Sequence, residues 1–178
     1  MSGKIIAIVI LILFSAYFSA TETAFTAMNK TKLKTMAADG NRKAQKVLAL
    51  EEKYDKLLTT ILIGNNVVNI AMTAIATVLF IALFAASGAA ISTVVITVVV
   101  LVFGEITPKN IAKEAPEAFA MFSAPIISLF MTILTPVNFV FTKWKEFVVR
   151  IFKLGGQDTI TDDEILTMVE AAETGGGI

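Results

Sequence analysis

The sequence predicts an all-α integral membrane protein: three transmembrane helices, a re-entrant juxtamembrane helical hairpin and a cytoplasmic acidic helix. Three observations predict it. Of the 178 residues 56% are hydrophobic, with mean hydropathy +0.76, where a soluble domain is about half apolar. The 15 Lys and Arg and 15 Asp and Glu balance, yet they are gathered between long uncharged runs. Those runs reach the ~20 residues that a helix needs to cross hydrocarbon.

The first run, about 5–28, starts with only Lys4 ahead of it. It has no small-residue cleavage site and turns polar inside, from Ser15, so it reads as a retained span and not a signal peptide. The segment 29–56 is polar, with Lys30, Lys32, Lys34, Arg42, Lys43, Lys46, Lys53 and Lys56 outnumbering Asp39, Glu51, Glu52 and Asp55. Short basic loops stay in the cytoplasm, which puts the N-terminus outside. Asp39-Gly40-Asn41 is a turn signal, so this loop reads as two short surface helices.

The second span covers about 57–84 and the third about 91–112, joined by an uncharged turn containing Ser87-Gly88. Val94, Val95, Ile96, Val98, Val99 and Val100 would favour a strand in water. A lone strand in lipid leaves its backbone unpaired, so helix prevails. The run 118–142 is apolar but interrupted by Pro125 and Pro136, and both flanks are basic. One straight span cannot begin and end on the same side, so a re-entrant hairpin is expected, with a fourth full span as the competing reading. Thus 1–142 reads as the transmembrane domain.

From 143 to 178 the chain reads as cytoplasmic helices. Trp144, Phe147, Val148, Ile151 and Leu154 recur at helical spacing among Lys143, Lys145, Glu146, Arg150 and Lys153, the pattern of a helix lying on a membrane surface. Thr161-Asp162-Asp163-Glu164 is a capping box opening an acidic helix to about Thr174. A helix that stops so abruptly reads as the start of a further domain.

Residue chemistry narrows the function. The chain has no Cys and no His, so disulfides and thiolate or imidazole metal sites are excluded, and any metal must be a hard cation on oxygen. The commonest general base and the best nucleophile are missing too, so an enzyme is disfavoured.

The central stretch is Val102-Phe103-Gly104-Glu105-Ile106-Thr107-Pro108-Lys109. Glu105 is a charge at bilayer depth, which costs roughly 2.5–3.5 kcal/mol on translocon scales and needs compensation. Gly104 allows close approach, and Pro108 lacks the N–H that would serve the Gly104 carbonyl. Ser15 and Ser19 share a face of the first span, and Asn65 and Asn69 a face of the second. Counted from the ends of the apolar runs, Ser19, Asn65 and Glu105 each lie about 10–12 Å in, with Ser15 and Asn69 a turn deeper. Hydroxyl, amide, carboxylate and carbonyl oxygens at one level are ligands that magnesium or calcium accepts. Blander readings exist: serines bonding their own backbone, asparagines joining helices, Glu105 paired with Lys109. Glu22 reads as an interfacial residue or a partner for a nearby lysine.

Ser15-Ala16-Tyr17-Phe18-Ser19-Ala20-Thr21-Glu22-Thr23-Ala24 resembles the S-A-x-F-S-G-S-E-T-A signature of the CorC/CorB and CNNM magnesium transporters. Gly64-Asn65-Asn66-Val67-Val68-Asn69 resembles their G-N-x-x-V-N, and Phe103-Gly104-Glu105-Ile106-Thr107-Pro108-Lys109 their F-G-E-x-x-P-K. Order and separation agree along essentially the whole chain; Ala20 and Thr21 stand where Gly and Ser are usual. The resemblance implies a homodimer in the plasma membrane, three spans and a re-entrant juxtamembrane helix. It also implies a following CBS pair and C-terminal domain, of which this chain would be only the membrane part. It implies magnesium as the transported ion, exported with sodium entry as the candidate driving force. Carried over by motif, Ser15, Ser19, Asn65, Asn69, Gly104 (through its carbonyl) and Glu105 are the expected metal contacts, with Asn66 pointing elsewhere. Membrane lipid and the missing CBS pair are the other expected partners; nucleic acid is not. A magnesium sensor that moves nothing and a structural anchoring dimer are the rival readings.

Overall fold

The computed structural model describes residues 1–152. The expected acidic helix after Thr161 lies outside those residues. Contacts divide the chain into one unit of Met1–Asn138 and a second beginning at Phe139.

In the first unit α1 runs Ser2–Ala27. The polar loop folds as expected into two short helices, α2 (Lys30–Ala38) and α3 (Arg42–Glu51). Each is opened by an asparagine: Asn29 accepts from the Lys32 N–H, and Asn41 from those of Lys43 and Ala44. Such caps serve backbone donors that a helix start leaves unpaired. Between the two helices Gly40 takes φ +89°, a conformation that glycine reaches without strain.

Helix α4 (Tyr54–Phe84) turns back through a 3-10 turn, Ala85–Ser87, into α5 (Gly88–Val99). Gly88 is required at this corner, because a Cβ there would stand 2.4 Å from the Phe80 carbonyl oxygen. The limb continues through a π-helical segment, Val100–Ile106, into α6 (Thr107–Glu114). Then α7 (Pro116–Ile133) follows, intact across Pro125. At Leu134 the chain bends into α8 (Thr135–Phe152), which has Pro136 in its first turn. Among the described residues three helical stretches are long and apolar enough to cross a membrane: Ser2–Ala27, the folded-back Tyr54–Glu114, and Pro116–Ile133.

The buried core is unevenly placed. Phe18, Phe25, Leu33, Val47, Leu57, Ile61, Ala112, Ala120 and Ile127 form one cluster joining α1, α2, α3, α4, α6 and α7. Phe18 stacks edge-on against Phe130 at 5.2 Å, and the Tyr17 hydroxyl donates to the Ser123 carbonyl over 3.1 Å. Where this bundle turns polar it is tied by side chains. Glu117 accepts from the Asn29 N–H and pairs with Lys32, both at 3.0 Å, and Lys30 pairs with Glu51. Asn138 at the start of α8 donates to the Thr60 hydroxyl over 2.9 Å.

In the second unit α8 continues without a break to Phe152. Phe139, Phe141, Trp144, Phe147 and Ile151 are exposed, and Lys143 pairs with Glu146 one turn on.

Candidate cation site

Three helical elements bring the motif residues together. Helices α1 and α4 run antiparallel: a groove joins Gly3, Lys4 and Ala7 to Ala74, Ile75 and Val78, while Ser15 meets Asn65 and Phe18 lies against Gly64. The fit at Gly64 is close, since a Cβ there would stand 2.5 Å from the Phe18 ring. The Ser15 hydroxyl donates to the Asn65 side-chain oxygen over 3.0 Å. On its other side lies Gly104, where a Cβ would come within 2.9 Å of the Ser15 oxygen. Gly104 therefore admits a side chain of α1, the close approach expected of a glycine here. Ser15 is the point at which all three motifs touch.

This geometry corrects the depth ranking drawn from the sequence. Ser15, not Ser19, is level with Asn65 and Gly104. Helix α1 ends at Ala27, while α4 begins at Tyr54 and α6 ends at Glu114, both beyond their apolar runs. Counted from those ends, Ser15, Asn65 and Gly104 all stand about 15–18 Å in, at ~1.5 Å per residue. Ser19 lies one turn nearer the Ala27 end of α1, and Asn69 one turn nearer the Phe84 end of α4. Because the helices are antiparallel, the two flank the Ser15–Asn65 pair on opposite sides.

Hydrogen-bond accounting separates these residues from their neighbours. Thr21, Thr23, Thr60, Thr73 and Thr77 each donate to the carbonyl four residues back, the usual resting place of a hydroxyl in an apolar helix. The Ser19 hydroxyl and the Asn69 side-chain oxygen are buried with no partner among the described residues. An orphaned buried oxygen is uncommon and calls for a ligand or water. Asn66 is exposed, pointing away from Asn65 as expected.

Glu105 sits in the π segment, half-buried. Pro108 does not break the helix. The limb widens, and the Thr107 N–H reaches back five residues to the Val102 carbonyl. Single π turns are frequent at functional sites. Lys109 does not pair with Glu105; its ammonium lies 3.0 Å from Glu22 on α1. Among the described residues neither a hydrogen bond nor an ion pair reaches Glu105. Among them, too, no three acidic residues gather at metal-holding distance. The cluster thus joins the neutral oxygens of Ser15 and Asn65 to the Gly104 backbone, with the one carboxylate of this stretch, Glu105, at the next position along the π segment; oxygen donors of these kinds suit a hard cation.

Long apolar helices around a buried polar cluster define a helical membrane protein. The chain belongs to the CNNM family: it matches the family described as cyclin M transmembrane N-terminal domain over residues 6–178. It is 37% identical to a UPF0053 protein of Haemophilus influenzae over 97% of this chain and 42% of the relative. It is 34% identical to the UPF0053 inner membrane protein YfjD of Escherichia coli K12, over 90% of this chain and 38% of the relative. Identity to the polyamine export protein of the same strain is 36%, over 99% and 43%. The chain thus spans about two fifths of the length of these curated relatives.

Proposed function

We propose that the chain moves magnesium across the plasma membrane, without chemically converting it, through a site built on Glu105. The observation that carries this reading is the Ser15 junction, which joins Asn65 and Gly104 from two other elements of the fold. Glu105 supplies the charge; Ser15, Asn65 and the Gly104 carbonyl supply neutral oxygens at the same level. Ser19 and Asn69, orphaned a turn to either side, receive the ion before and after it. Magnesium surrenders its waters reluctantly, so several oxygens must replace them together. A single carboxylate keeps binding weak enough for release. In this reading the basic loop faces the cytoplasm, two copies assemble side by side, and transport runs outward with sodium as the coupling ion.

Flux of magnesium in proteoliposomes holding the full chain tests this. Glu105→Ala is expected to abolish flux while leaving the protein folded and its oligomeric state unchanged. Flux at the unaltered rate in Glu105→Ala would remove the carboxylate from the mechanism.

A second reading has an observation of its own. Relatives 36% identical are named polyamine export proteins, and a polyamine is a cation whose ammonium groups suit the same acceptors. Ser19, Ser15–Asn65 and Asn69, spaced about a turn apart, form a row that an extended amine would follow. Spermidine flux, with magnesium neither carried nor competing, would favour it over the first.

A further inference from the structure

We infer that Glu22 is a positioning residue: it holds the Lys109 ammonium on α1 and so keeps that lysine off Glu105. The inference rests on the reading of Glu105 as the charged ligand and adds a part to it.

Lys109 follows Glu105 by four residues. Positions four apart stay on one side of a helix, and Glu followed by Lys at that spacing is the favourable order for an intrahelical pair. By local rules alone the two would pair. They do not: the Lys109 ammonium lies 3.0 Å from a Glu22 carboxylate oxygen, with the side chains 39% and 30% exposed. Glu105 is left without an ion pair among the described residues. Helix α1 supplies both Glu22 and Ser15, so the element that builds the neutral side of the site also removes its competitor.

The competition is real in chemical terms. A lysine tethered one turn from a carboxylate acts at an effective concentration on the order of millimolar or higher. Half-buried surroundings strengthen that attraction beyond its value in water. A lysine released from Glu22 therefore occupies Glu105 much of the time, and an entering cation has to displace it. The plainer account is that Glu22–Lys109 is only a tie between α1 and α6. A third account makes Glu22 itself an attractor for the cation. The three accounts predict different patterns across the same variants.

Magnesium binding to the full chain in detergent, measured by calorimetric titration, separates them. The expected pattern is a Kd about ten-fold weaker in Glu22→Gln, with Lys109→Met and the double variant Glu22→Gln/Lys109→Met binding at least as tightly as the unaltered chain. Thermal unfolding without magnesium runs alongside, because a mere tie would lower Tm in both single variants. If Glu22→Gln does not fold, Glu22→Asp takes its place, with a loss of about three-fold and the same rescue by Lys109→Met. Unchanged affinity in the Glu22 variants overturns the inference. A double variant as weak as Glu22→Gln overturns it in favour of the attractor, and a Lys109→Met as weak as Glu22→Gln in favour of the tie. Binding that is lost in Glu105→Gln but unmoved by Glu22 removes the inference alone. An unaltered chain that binds no magnesium removes the reading of Glu105 and the inference with it.

Discussion

Two halves of the first unit differ in how much of their apolar surface they bury. Below the Ser15–Asn65 pair, the last part of α1, the first part of α4, α6 and α7 bury Phe18, Phe25, Leu57, Ile61, Ala112 and Ile127 in one cluster. Above it, the start of α1, the end of α4 and α5 leave Ile5, Val9, Leu13, Ile70, Val78, Val94 and Val98 exposed. A thin seam of Met72, Ala76, Leu79, Gly88, Ser92 and Ile96 is buried there. The open half is the more apolar of the two, α5 carrying no charge where α6 carries Lys109, Lys113 and Glu114. Burial therefore does not follow hydropathy, lipid tails being as apolar as a leucine-lined core; it follows small and polar residues. Gly64 and Gly104 let helices close on one another, and the Glu22–Lys109 and Lys32–Glu117 pairs tie that half alone. The Ser15–Asn65–Gly104 cluster stands where the packed half meets the open one.

Substitution in matched pairs, one from each half, tests the contrast. Phe18→Ala removes a fully buried ring and is expected to cost about 3–5 kcal/mol. Ile10→Ala, at a side chain 47% exposed, is expected to cost less than about 1 kcal/mol. Equilibrium unfolding in detergent measures both, and similar losses would erase the distinction. A smaller gap is expected between two glycines. Gly64→Ala must push the Phe18 ring aside, at about 1–3 kcal/mol, whereas Gly3→Ala meets nothing within 4 Å and should leave stability unchanged. Smallest is Lys32→Met. It removes the ion pair to Glu117, whose lysine side chain is 61% exposed, so a loss of about 1 kcal/mol or less is expected, fading in high salt. A loss that persisted at high salt would show that the pair carries packing as well as charge.

The sequence made the helices legible and their contacts much less so. Long uncharged runs marked α1, α4 and α5 because a membrane imposes a length, and the Asp39-Gly40-Asn41 turn signal marked the break between α2 and α3. The motif residues meeting at Ser15 were legible through polarity at lipid depth. Their register was not. Apolar runs end where hydropathy falls, whereas α4 begins at Tyr54 and α6 ends at Glu114, and that difference set Asn65 and Gly104 level with Ser15 instead of Ser19. The Glu22–Lys109 pair joins residues far apart in sequence, so no spacing announced it, although Glu22 was legible as a partner for some lysine. The widened turn at Val100–Ile106 had only Gly104 and Pro108 as its signals, and these suggested a break.

That widened turn has a consequence for everything after it. A π turn holds one residue more than an α turn, so the helical wheel before Val100 and the wheel after Ile106 are out of phase by about 100°. Buried positions along this limb fall at Gly88, Ser92 and Ile96 before the widened turn, at Gly104 within it and at Ala112 after it. The surplus residue works as a vernier: it sets the angle at which Lys109 and Ala112 arrive at α1. The number of residues between Val100 and Ile106 therefore matters to the cluster as much as their identities do.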